Sequence, residues 1–205
     1  KERIFTLKTL EDGEQLKQAY AKASKIGIIG GGYIGLELVE AAVHNRKEVV
    51  LIEKADRVLN TFDEEFSKMA LEELKSNHVE VYTSESLVDI QDMEKGVNII
   101  TDQREIEVDI VVLALGVRPN TQFLKDTGIA LASNGAVLVD TKMRTNVKDV
   151  YSAGDCSVVT HMITNEHKFL PLGTNANKQG RNLAEVLAGE DSDYHMALGS
   201  AMLRL

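Results

Sequence analysis

KIGIIGGGYIGLELVEAAVHNRKEVVLIE, residues 25–53, decides the fold. Lys25 to Ile29 is a short apolar run that predicts a buried strand, and it stops at the glycine run Gly30-Gly31-Gly32. Ile34, Leu38 and Ala42 then recur at helical spacing, which predicts a helix from about Tyr33 to Asn45. Glu48 to Glu53, EVVLIE, is apolar without alternation, as a parallel strand covered on both faces requires. Strand, glycine turn, helix and strand together make a βαβ unit with a right-handed crossover.

The turn itself reads Gly30-x-Gly32-x-x-Gly35. Each glycine answers a separate need: Gly30 permits the tight turn, Gly32 lets backbone approach a diphosphate, and Gly35 lets the helix pack close on the sheet. A diphosphate would then meet free N–H groups at a helix N-terminus, where the dipole favours negative charge. A glycine-rich turn without a ligand is the competing reading. Against it stands Glu53, an acidic residue at the end of the second strand and 18 residues beyond Gly35. Its carboxylate would accept hydrogen bonds from an adenosine ribose and repel a 2′-phosphate, which favours NAD(H) over NADP(H). Lys54 and Arg57 lie close by and admit two readings: they partly offset that repulsion, or they are simply solvated loop charges, the favoured reading. Tyr33 and Glu37, four apart, share one face of the helix beside the turn.

Outward from this unit the alternation of strand and helix continues. Glu11 to Lys22 predicts an amphipathic helix, and Asp63-Glu64-Glu65 opens another that runs to about Asn77 before a strand at Val79 to Tyr82. From Leu87 to Glu107 period-two segments predict a small antiparallel meander, followed by the apolar strand Asp109 to Leu115. Short strands are expected near Val137–Asp140 and Val150–Ser152, and a last helix from about Asn175 to Ala188, stopped by Gly189. The expected fold class is α/β: a Rossmann-like, doubly wound parallel sheet with an inserted antiparallel meander.

Composition excludes several functions. The chain has 205 residues, with 23 Lys plus Arg against 32 Asp plus Glu and a formal net charge of −9. That balance argues against nucleic-acid binding, and no apolar run is long enough for a membrane span. The lone Cys156 rules out a disulfide within the chain; with no signal-peptide pattern, a cytoplasmic location is expected. The five histidines have no metal-ligand spacing, so no metal is expected.

Four stretches, in order, make the pattern more specific: GGGYIGLELVEA (30–41), DIVVLALGVRPN (109–120), TNVKDVYSAGDCS (145–157) and LPLGTNANKQGR (170–181). Together they resemble the flavin-dependent pyridine nucleotide-disulfide oxidoreductases, in the branch of NADH oxidases, NADH peroxidases and CoA-disulfide reductases. The resemblance implies NAD(H) on Gly30, Gly32, Tyr33, Ile34 and Gly35, with Glu53 at the ribose, Phe62 near the nucleotide and Gly116 beside it. It implies FAD with Asp155 on its ribityl hydroxyls and Leu172-Gly173-Thr174 opening a helix toward the flavin's pyrimidine edge. Tyr33 would shield the flavin and move aside for nicotinamide, with Glu37 close to that stack; these two are the expected catalytic residues.

The departures matter equally. Such proteins begin with another strand, a second glycine motif for FAD and a redox-active cysteine, none of which is in this sequence. The expected division is therefore 1–7 as the end of a connection from the FAD domain, 8–140 as the NAD(H)-binding domain, 141–190 as the returning segment of an FAD-binding domain, and 191–205 as the start of a dimerisation domain. Cys156 follows Gly154-Asp155 and reads as a small packed residue. The implied activity is hydride transfer from NADH to flavin and on to a small electron acceptor, in a full-length homodimer. The acceptor (oxygen, peroxide or CoA disulfide) is distinguished mainly by the cysteine that lies outside the chain. The competing reading is an NAD(H)-binding module without activity of its own.

Overall fold

A computed structural model describes residues 2–195 and 197–200. The chain divides into two compact units, one ending at Gly116 and the other beginning at Val117. Residues 117–140, which the sequence reading groups with the NAD(H)-binding domain, pack within the second unit.

The first unit is built on five parallel strands in the order β1-β8-β2-β3-β4. These are β1 (Ile4–Thr6), β8 (Ile110–Leu113), β2 (Lys25–Ile29), β3 (Glu48–Ile52) and β4 (Glu80–Tyr82). The three helices are α1 (Leu10–Lys22), α2 (Tyr33–His44) and α3 (Glu64–Ser76). Thr9 starts α1 with a capping box, its hydroxyl accepting from Asp12 N–H while the Asp12 carboxylate accepts from Thr9 N–H. The two backbone bonds from Lys8 and Thr9 hold the Asp12 carboxyl below its usual range.

Handedness explains the two faces of the sheet. Successive steps β1 to β2, β2 to β3 and β3 to β4 run in one direction, so right-handed crossovers place α1, α2 and α3 on the same face. The return from β4 to β8 runs the opposite way, and the meander carries it across the other face. This meander comprises β5 (Leu87–Asp92), β6 (Val97–Thr101) and β7 (Glu105–Val108), antiparallel throughout. Two cores result. Leu16, Tyr20, Leu36, Val39 and Leu74 pack from the helices onto Ile26, Ile28 and Leu51, while Val97, Ile99 and Ile106 pack from the meander onto Val50, Ile52 and Val111. Burial pushes the Tyr20 phenol strongly upward, and its hydroxyl donates to Leu38 O at 3.4 Å.

Strand β1 was not expected from the sequence, because KERIFTLKTL lacks the apolar continuity of the other parallel strands. It is an edge strand, so pairing with β8 alone suffices.

In the second unit the expected strands near Val137 and Val150 are isolated bridges, Val137 to Leu131 and to Ser157, and Arg144 to Tyr151. Side chains there satisfy the backbone in place of a ladder: one Asp140 carboxylate oxygen accepts from both Lys142 and Arg144 N–H. A short hairpin, β9 (Val159–Thr160) and β10 (His167–Lys168), and the helix α4 (Gly173–Leu187) complete it. Of the stretch 191–205, expected to start a dimerisation domain, residues 196 and 201–205 lie outside the described residues. Among the described residues, no helix is long and apolar enough to cross a membrane and no group of His, Cys, Asp and Glu is placed to hold a metal ion.

Ile99 is fully buried and its Cδ1 would lie 2.4 Å from a Cβ at Gly27, so the meander sits directly on β2. Ile99→Ala is expected to cost about 2–5 kcal/mol in urea unfolding, seen as a lower midpoint at unchanged slope. A loss below about 1 kcal/mol would mean that the meander is not a load on the core.

Candidate functional site

The carboxyl ends of β2 and β3 meet the N-terminus of α2, and the glycine turn joins them. Gly30 has φ 110°, a left-handed value that side chains resist, and a Cβ there would lie 2.3 Å from Ala114 O. A Cβ on Gly35 would lie 1.8 Å from Gly30 O, so α2 crosses the end of β2 where no side chain fits. Gly32 differs: nothing lies within 4 Å of where its Cβ would be. It is exposed and forms the N-cap of α2 without any side-chain cap. The first N–H groups of the helix therefore face an open position, with the positive end of the dipole behind them.

Glu53 lies one residue beyond β3 and is held from both sides. Its Oε2 accepts from Gly31 N–H at 2.5 Å and its Oε1 from Ala55 N–H at 2.6 Å. Each carboxylate oxygen has a second lone pair, so both bonds leave acceptor capacity for a sugar hydroxyl. The loop after Glu53 folds back on the turn, with Leu59 N–H donating to Gly31 O at 2.9 Å. Phe62, at the end of this loop, meets Tyr33 edge-on, with ring centroids 5.3 Å apart. Burial pushes the Tyr33 phenol above its usual range, so it is a neutral hydroxyl at physiological pH. Ile34 and Tyr33 are half-buried, while Glu37 is exposed one turn on. Gly116, with φ 83°, follows the strand β8 whose continuation, Ala114, contacts Gly30 and Gly35.

The structure thus brings Gly30, Gly32, Tyr33, Ile34, Gly35, Glu53 and Phe62 around one turn. Lys54 is exposed, as a loop charge should be. Arg57 is only half-exposed and its Nε is buried without a hydrogen-bond partner, so it is not a freely solvated charge.

In the second unit Asp155 is exposed next to Gly154, whose φ of 86° suits a glycine. Gly154 N–H donates to Gln179 Oε1 at 2.6 Å, and Gln179 Nε2 donates to Val158 O at 3.3 Å. Gln179 is 1% exposed and spans the loop from both ends, a role that sequence reading did not assign. Its signal was present: Asn175, Gln179 and Asn182 stand at helical spacing and form the buried face of α4, which is polar. Leu172 is the N-cap of α4, again without a side-chain cap, and Gly173 and Thr174 are exposed in its first turn. Cys156 is half-buried, its thiol 3.5 Å from Ala153 O and 3.4 Å from Ser152 Oγ, which agrees with a packed residue.

A family model for pyridine nucleotide-disulphide oxidoreductases matches residues 1–180. The chain belongs to this family. Among its curated relatives is a CoA-dependent NAD(P)H sulfur oxidoreductase from Pyrococcus furiosus, 35% identical over 184 residues that cover 89% of this chain and 41% of that protein. An NADH oxidase from Enterococcus faecalis is 33% identical over 207 residues, covering 100% of this chain and 46% of that protein. Among solved structures, a water-forming NADH oxidase from Lactobacillus brevis, bound to NADH, superposes with a TM-score of 0.89 at 31% identity, over 95% of this chain and 43% of that one. The chain thus spans less than half the length of these family members.

The two glycines that differ in surroundings should differ in tolerance. Gly35→Ala is expected to destabilise the first unit by about 3 kcal/mol or more, because backbone must move. Gly32→Ala, with φ −80° and open space, is expected to cost about 1 kcal/mol or less. Thermal unfolding of the two variants separates them, and equal losses would contradict the geometry.

Proposed function

We propose that this chain is the central part of an FAD-dependent NADH oxidoreductase, of the NADH oxidase or CoA-disulfide reductase type. The observation that carries the reading is the open, uncapped glycine turn at Gly32 with the Glu53 carboxylate fixed beside it. A backbone diphosphate cradle and a sugar-hydroxyl acceptor on one turn are what an adenine dinucleotide needs. The family membership and the relatives that carry NADH or NAD(P)H in their names support the same reading.

In this reading the N–H groups at the start of α2 hold the diphosphate, and Glu53 orients the adenosine ribose. Tyr33 and Phe62 form an apolar wall that keeps water from the nicotinamide end, with Tyr33 moving aside on entry and Glu37 next to it. Gly116 leaves room for the nucleotide. Asp155 accepts from the ribityl hydroxyls of FAD, and Leu172, Gly173 and Thr174 present the positive end of α4 to the flavin. When bound, the flavin supplies the two-electron acceptor for the nicotinamide hydride and the donor for oxygen, peroxide or a disulfide. The exposed Asp155 and the uncapped α4 terminus fit that group, as an acceptor for hydroxyls and a dipole that favours the reduced anion. In this scheme the NAD(H) segment of 8–140 is carried by its part up to Gly116, residues 117–140 pack with the FAD segment 141–190 in the second unit, and the whole protein is a cytoplasmic homodimer.

A binding module without turnover is the second reading, favoured by the lone and packed Cys156, which leaves the chain without a redox-active thiol. Anaerobic addition of NADH to the complete gene product distinguishes the two. Bleaching of the flavin absorbance supports the oxidoreductase; a colourless protein that binds NADH leaves only the module. Glu53 also predicts selectivity: NADH should bind about tenfold tighter than NADPH, with the gap closing in Glu53→Gln. Equal dissociation constants in the unmodified protein would remove Glu53 from the ribose site.

A further inference from the structure

Glu85 is the most deeply buried carboxylate among the described residues, at 1% exposure, and the scheme above gives it no task. Its Oε1 accepts from Thr101 Oγ1 at 2.6 Å and from Arg104 Nε at 2.9 Å. The Arg104 guanidinium in turn lies 4.0 Å from the centroid of the Tyr82 ring, within the range of a cation–π contact. Glu85 is buried but the Arg104 side chain is 40% exposed, and an ion pair open to solvent on one side gives little net stability. Its geometry, however, is specific.

That geometry leads to Glu53. The register of β3 with β4 ends at Ile52 and Tyr82, and the bonding continues beyond the strands. Glu53 N–H donates to Tyr82 O at 2.8 Å, Glu85 N–H donates to Glu53 O at 3.1 Å, and Ser84 N–H donates to Ala55 O at 2.7 Å. Residues 53–55 are therefore strapped to residues 82–85. The strap does not hold itself, since Ser84 has φ 54°, a left-handed conformation that a residue with a Cβ resists. The β6–β7 turn holds it from the meander side. Gln103 Nε2 donates to Ser84 O at 2.8 Å, Asp102 N–H donates to Ser86 O at 3.0 Å, and Ser86 N–H donates to Asp102 Oδ1 at 3.0 Å. The Glu85–Arg104 pair is the charged centre of this contact.

We propose that the Glu85–Arg104 pair positions Glu53 for recognition of the adenosine ribose, so that the β6–β7 turn of the meander is a determinant of dinucleotide affinity. The proposal rests on the reading of Glu53 as the ribose acceptor. Glu85 and Arg104 are positioning residues: they act on the ligand through the backbone on either side of Glu53.

The test uses ADP and 2′-deoxy-ADP as probes, titrated calorimetrically into the complete chain and into Arg104→Met and Glu85→Gln. The two ligands differ by the one hydroxyl that Glu53 would accept from. In the unmodified protein 2′-deoxy-ADP should bind about tenfold more weakly than ADP. In both variants that ratio should fall to about twofold, with ADP itself weakened and 2′-deoxy-ADP little changed. Glu85→Gln keeps the shape and the Thr101 contact, so it guards against a failure of Arg104→Met to fold. A variant that weakens both ligands equally, or keeps the ratio, overturns the positioning role. A ratio near one in the unmodified protein overturns the reading of Glu53 itself, and the proposal with it.

Discussion

The passage of α2 across the end of β2, with the Gly35 backbone against the Gly30 carbonyl, is the contact on which the rest of the first unit depends. A Cβ at Gly35 would lie 1.8 Å from that oxygen, and one at Gly30 would strike the carbonyl of Ala114 at 2.3 Å. Three pieces of backbone, from β2, α2 and the continuation of β8, are therefore packed without intervening side chains. Only this closeness brings the N-terminus of α2 over the strand ends, where its dipole faces an open position at Gly32. The carboxylate of Glu53 and the rings of Tyr33 and Phe62 are then arranged around the turn. Close packing has removed side chains where elements touch and left room where a ligand would lie.

Much of this was legible in the sequence because it depends on local pattern. The strand at Lys25–Ile29 has the expected bounds, and α2 and α3 end within one residue of theirs, since glycine turns, an acidic first turn and apolar periodicity are local signals. The meander was visible for the same reason, as alternation between Asp92 and Gly96 breaks. Its position on the sheet followed only from strand order: the reversed step from β4 to β8 sends the connection to the face opposite the helices. Strand β1 was hidden because an edge strand needs little apolar surface. In the second unit, side chains such as Asp140 and Thr145 satisfy the backbone that a ladder would otherwise pair.

The polar interior was harder to foresee than the apolar one. Gln179 is buried because it bridges Gly154 and Val158 across 25 and 21 residues of sequence, and Glu85 because Arg104 and Thr101 reach it from the meander. Partners of this kind are set by tertiary contact, so a Gln or Glu in isolation reads as surface. The glycines and Glu53 could be read from spacing; the residues that hold Gly154, and the backbone on either side of Glu53, could not. The same limit applies to Arg57, whose buried Nε is invisible in a loop of charged residues.

The N-terminus of α2 and the end of β3 are proposed to form one dinucleotide site. Amide NMR of the chain titrated with NADH tests it most directly. The largest shifts should fall on Gly31 to Gly35 and on Glu53 to Ala55, saturating with a single dissociation constant. Saturable binding that leaves these amides unmoved, or no binding at all, would contradict it.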